Sequence, residues 1–159
     1  MVDADKSILY KVAYDEAVRA LSEQQEVIES LRTRAGLLLS AAAVTTSFLG
    51  AQALDGGDSS LSAWLATIGF IGVALVSLAI LWPREWEFTA NPQDLIQTYI
   101  ENAGPAPAGE LHRDLSLHMH ASYAVNRAGL KELVIFFQIA SGLLTVEVIL
   151  WVIAIASTA

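Results

Sequence analysis

The chain has 159 residues, 54% of them apolar, and a formal net charge of −8. Its mean hydropathy is positive, high for a soluble domain of this length, and the acidic balance argues against nucleic acid, which rewards Lys and Arg clustered on one face. The absence of cysteine removes disulfides and thiol chemistry.

Residues 1–34 contain neither Pro nor Gly and are mostly good helix formers. They predict a cytoplasmic amphipathic helix that runs without a break into the first apolar segment. Because this stretch is polar and net acidic, it does not read as a secretory signal, and the first span is expected to be retained. A heptad reading places Tyr14, Leu21, Ile28 and Ala35 at one seam position and Tyr10, Ala17, Gln24, Leu31 and Leu38 at the other. Such a seam either joins copies through Leu21, Ile28 and Leu31 or packs on a second cytoplasmic helix; heptads alone do not separate the two.

Ala35 to Leu54 is 20 residues without a charge and Leu61 to Trp82 is 22. At about 1.5 Å per helical residue each reaches roughly 30 Å, the thickness of a bilayer's hydrocarbon core. A third run, 133–157, is interrupted only by Gln138 and Glu147. The chain is therefore expected to be an all-α integral membrane protein with spans at 35–54, 61–82 and 133–157, an outer loop at 55–60, and a cytoplasmic helical region at 83–132. Within that region Asn91, Pro92 and Asp94 predict a helix start, and "AGPAPAG" predicts its end after about Asn102. A further helix is expected over Glu110 to Lys131, folded back on the first.

All nine basic residues precede the first span or lie between the second and third. Lys and Arg are retained on the cytoplasmic side during insertion, so the N-terminus is expected inside and the C-terminus outside. Trp64 and Trp151 then fall at the outer interface, and Trp82 and Trp86 at the inner one.

On the first span Gly36, Ser40, Ala43, Ser47 and Ala51 recur as one small-residue stripe, and Ala66, Gly69 and Gly72 do so on the second. Small residues let helix backbones approach closely in lipid. The stripe serves either packing within the chain or a homo-oligomer, in which Thr45, Thr46, Ser47 and Gln52 would line a seam or narrow pore. Glu147 lies about 14 residues into the third run, roughly 21 Å from the inner boundary, where an unpaired ion is costly. The spans contain no Lys or Arg, so the carboxyl is expected to be protonated, hydrogen-bonded or facing water. Ser47, Gln52 and Thr67 are the expected partners at equal depth. Two roles follow: a contact between helices, or a ring lining a water-filled path between copies.

His112, His118 and His120 have offsets of six, two and eight, not the i, i+4 spacing of a helical zinc pair. No metal or other cofactor is expected. The sequence also has no phosphate loop, nucleophile triad or Cys/His cluster, and an enzyme is not expected.

The stretches "LRTRAGLLLSAAAVTTSFLGAQAL" and "HRDLSLHMHASYAVNRAGLKEL", with a span ending "EVILW", resemble small bacterial membrane proteins of the SLATT or Pycsar type, the transmembrane effector modules of nucleotide-signalled antiphage systems. The likeness is one of layout and covers most of the chain; no catalytic or ligand residue carries over. It implies an inner-membrane protein that oligomerises and permeabilises the bilayer when a cytoplasmic protein or nucleotide signal arrives. The sequence departs from fuller members in lacking a recognisable nucleotide-binding domain. Two other classes stay open: a scaffold whose cytoplasmic helices recruit a partner, and a small ion or proton channel or carrier.

Overall fold

Apolar runs of this length and chain stretches free of proline leave the backbone few alternatives to long helices. The computed structural model describes residues 2–54, 61–88, 91, 93, 96–101 and 108–158. Its elements are α1 (Val2–Leu54), α2 (Leu61–Leu81), a π-helical turn at Gln97–Glu101, and α3 (Ala108–Thr158); among the described residues there is no strand. The segment 55–60, the Pro-rich stretch 102–107, and Pro92 and Asp94 lie outside the described residues. Asn91 does present its Oδ1 to the Gln93 N–H at 3.0 Å, the hydrogen bond of a local cap. Gln93 and Ile96 are helical and the π-turn follows directly to Glu101; the rest of the helix expected from the sequence lies outside the described residues.

α1 is 53 residues long, about 80 Å at the standard rise, while a bilayer core accommodates roughly 30 Å of it. The remainder stands outside the hydrocarbon. α2 stops where Pro83 removes a donor and disfavours helical geometry at Trp82, whose N–H closes the last turn on Leu78 O at 2.9 Å. No proline interrupts α3, so the helix expected from Glu110 begins at Ala108 and continues through the whole third run.

All three helices are long and apolar enough to cross a membrane, and only 17%, 22% and 22% of their apolar windows are buried within the chain. Large side chains such as Leu37, Phe48, Ile68, Leu75 and Val152 remain more than half exposed. A surface of that kind requires an apolar solvent, so the chain is a multi-pass membrane protein.

Two compact units divide the chain: Met1–Ile28 with Glu85–Leu130, and Glu29–Arg84 with Lys131–Ala159. In the first, α1 and α3 run parallel, since their contacts advance together from Ser7 against Gly109, through Tyr14 against His112, to Gln24 with Tyr123. Leu21, Gln24 and Ile28 are buried there, along with Ser122 and Asn126 of α3. The seam's polar member is used: Gln24 Nε2 donates to Tyr123 O at 3.3 Å. After α2 the chain crosses α3 as a strap. Trp86 packs over Gly129, where a Cβ would lie 3.1 Å from the indole, and Asn126 both accepts from Glu87 N and donates to Glu87 O, at 3.1 and 2.8 Å.

In the second unit α1 and α3 are again parallel, stepping from Thr46 with Glu147 to Gly50 with Trp151. α2 is antiparallel to α3: Gly69 meets Glu147, Gly72 meets Leu143, and Arg84, just past its end, reaches Glu132. Ala53, Ala63, Ala66, Trp151 and Ala154 form an apolar cluster where the three helices converge.

Candidate functional site

Among the described residues Glu147 is the one ionisable side chain that is fully buried, and it faces one residue from each neighbouring helix. From α1, Thr46 Oγ1 donates to Glu147 Oε1 at 2.5 Å, a short contact of the kind hydroxyls make with carboxyl oxygens. From α2, Gly69 presents only backbone: a Cβ there would lie 3.4 Å from Glu147 Cβ. One turn along α3 stands the Trp151 indole; Trp151 Nε1 and Glu147 Oε2 are both buried with no hydrogen-bond partner among the described residues.

The partners expected from sequence were Ser47, Gln52 and Thr67, and the structure assigns the contact to Thr46 instead. Counting residues gave the facing level on α1 to within one position but not the direction of each side chain around its helix. Ser47 is exposed and donates to Ala43 O of its own helix. Thr67 is half-buried and donates to Ala63 O. Gln52 and Gln138 are exposed, and Thr45 is half-buried. These polar residues are not brought together with Glu147. With no surface of its own exposed, the carboxyl does not line a path open in this chain.

Trp151, expected at the level of the outer interface, is turned toward the neighbouring helices. It is 2% exposed and sits in a notch at Gly50, where a Cβ would lie 3.2 Å from indole Cη2. Close packing against glycine and alanine takes the ring inward. The available signal was the helical spacing of Gly50 and Ala53, which leaves room for one large residue opposite.

The stripe on α1 faces outward: Ser40, Ala43, Ser47 and Ala51 are exposed, and a Cβ on Gly36 would meet no atom within 4 Å. Ser40 and Ser47 each satisfy their hydroxyl on a backbone carbonyl four residues earlier. Leu21, Ile28 and Leu31, expected at contacts between copies, are buried within the chain, so in this structure they serve packing between its own helices.

Outside the spans, Tyr99 donates its hydroxyl to Asp114 Oδ2 at 2.7 Å. That bond, reinforced by desolvation and by the negative charges of Asp114 and Glu110, holds the phenol above the usual tyrosine range. His112 packs against Tyr14 with ring centroids 5.4 Å apart. Among the described residues no three His, Cys, Asp or Glu side chains converge as metal ligands would.

Comparison with protein-family models, with curated proteins and with solved structures finds no match to this chain.

Proposed function

We propose that the protein is an oligomeric effector of the bacterial inner membrane that perturbs or permeabilises the bilayer, and that it serves in phage defence. The observation that carries this reading is the outward-facing stripe Gly36, Ser40, Ala43, Ser47 and Ala51. Its members leave a flat, weakly polar face on a spanning helix, and in lipid such faces associate by close backbone approach. The proposed orientation, N-terminus inside and C-terminus outside, rests on the basic residues flanking the spans. The defence role rests on the resemblance in layout to antiphage effector modules.

Replacing Ser40 and Ser47 by Leu should split the oligomer while leaving insertion intact, as read by crosslinking in native membranes. Induced expression with a membrane-potential dye should show depolarisation that the same variant lacks. A monomeric parent protein would defeat the proposal.

The second reading, a scaffold that recruits a partner, is favoured by a different feature. A cleft of about 360 Å³ in the first unit is lined by apolar side chains such as Ala17, Leu117 and Met119 together with the polar Glu16, Ser116 and His120, and Ile8, Leu9 and Val12 stand exposed on the same stretch of α1. Helix-in-groove recognition uses such surfaces. A scaffold would recruit a protein through this cleft and leave the membrane potential unchanged.

A further inference from the structure

One end of the second unit gathers its positive charge at a single level. Arg84 reaches Glu132, at 2.7 Å, beside Lys131 on α3. Thr46 of α1 is level with Glu147 of α3; because the helices run parallel, stepping back equally along both brings Arg32 and Arg34 level with Leu133. The apolar runs end at the same level: Ala35 follows Arg34, Leu81 precedes Arg84, and Leu133 follows Lys131. In a bilayer this is where the hydrocarbon gives way to headgroups.

Among the described residues one member of this collar is ion-paired with an acid of the chain, Arg84. Glu132 is engaged by Arg84, which also lies 5.9 Å from the centroid of the Phe136 ring. Glu29 is the other acid of this unit near the collar, about a turn before Arg32 on the far side from the apolar run. Arg34 and Lys131 are exposed and form no ion pair among the described residues. Arg32 has a buried Nε with no hydrogen-bond partner in the chain. A phosphodiester offers paired oxygens that suit the terminal N–H groups of a guanidinium.

We propose that Arg32, Arg34, Arg84 and Lys131 form a binding collar for the phosphodiester headgroups of anionic phospholipids. The charges stand on three separate elements around the rim of the lipid-facing surface, an arrangement that suits several headgroups in a leaflet better than one small anion. Long Arg and Lys stems keep their methylenes on apolar surface while the charged ends reach the phosphates. The collar requires only that the unit be inserted; it is independent of whether the protein permeabilises the membrane.

The test uses delipidated full-length protein and counts retained lipid by native mass spectrometry, offering phosphatidylglycerol and phosphatidylcholine with identical acyl chains. The parent should prefer phosphatidylglycerol, and the preference should fall with added salt. One basic residue near an anionic surface is worth up to about fivefold at low salt. Arg32→Gln, Arg34→Gln and Lys131→Gln combined should bring the preference close to one while leaving phosphatidylcholine retention unchanged. Lys6→Gln with Lys11→Gln, which removes charge from the first unit, should leave the preference intact. Should the triple variant fail to insert, the single variants Arg34→Gln and Lys131→Gln, both at exposed positions, should each lower the preference. Equal retention of the two lipids by the parent, an undiminished preference in the collar variants, or an equal loss in the Lys6 and Lys11 control would overturn the proposal.

Discussion

Glu147 and Thr46 bind two spanning helices through one short hydrogen bond, and contacts of this class are usually worth about 1 kcal/mol in a membrane. A double-mutant cycle with Thr46→Val and Glu147→Leu isolates it. The coupling energy, read from reversible unfolding in mixed micelles, should be about 1 kcal/mol, and additive effects would show that the bond contributes nothing. The residue scale also sets one pH dependence, outside the spans. The Tyr99 hydroxyl is raised above its usual range because its neutral form donates to Asp114. A raised folded-state value means that the contribution is fully present below the ordinary tyrosine range and is lost as pH rises through the folded value. In an ultraviolet titration Tyr99 should ionise later in the parent than in Asp114→Asn, and Tyr99→Phe should remove that late phase.

The strap after α2 depends on one side chain. Asn126 satisfies both the N–H and the C=O of Glu87, and a partly buried backbone group left unpaired costs roughly 1–3 kcal/mol. Asn126→Ala should therefore raise hydrogen exchange in peptides covering Glu85–Phe88 while exchange in α2 stays as in the parent. Unchanged exchange would show that Trp86 over Gly129 holds the strap alone. The helices were legible beforehand because long Pro-free stretches and runs of apolar residues leave a chain little choice. The strap was not: Asn126 reads in sequence as one more polar residue on a helix. Only the placement of Glu87 against it gives that amide a task.

Across the whole molecule, the proposed topology puts the two ends of the chain on opposite sides of the bilayer, in the direction read from the basic residues. Cysteines introduced at Gly57 and Ala159 should react with an impermeant thiol reagent in intact cells, and one at Ala106 should not. Labelling at Ala106 would reverse the map. At the same scale, Glu147→Gln separates the two roles considered for the carboxyl. A contact buried within one chain should tolerate an amide that still accepts from Thr46, so assembly and any conductance in liposomes should match the parent from about pH 5 to 8. A ring lining a path between copies would lose ionic conductance or its pH dependence.

The three spanning segments were determined by sequence alone, because run length and the absence of charge are one-dimensional properties that the bilayer reads directly. The level of Glu147 relative to the other two helices was approached by counting residues, to within one position on α1. Which hydroxyl meets it, and whether Trp151 faces lipid or core, depends on how each helix is rotated about its axis. That rotation is set by where glycine and alanine allow neighbours to approach, at Gly69 against Glu147 and at Gly50 against Trp151. In the same unit Leu31 is buried while Ser40, Ala43, Ser47 and Ala51 stay outside; in the first unit Leu21 and Ile28 turn inward. A stripe can be read from spacing, but the side it faces is decided by the packing of all three helices together.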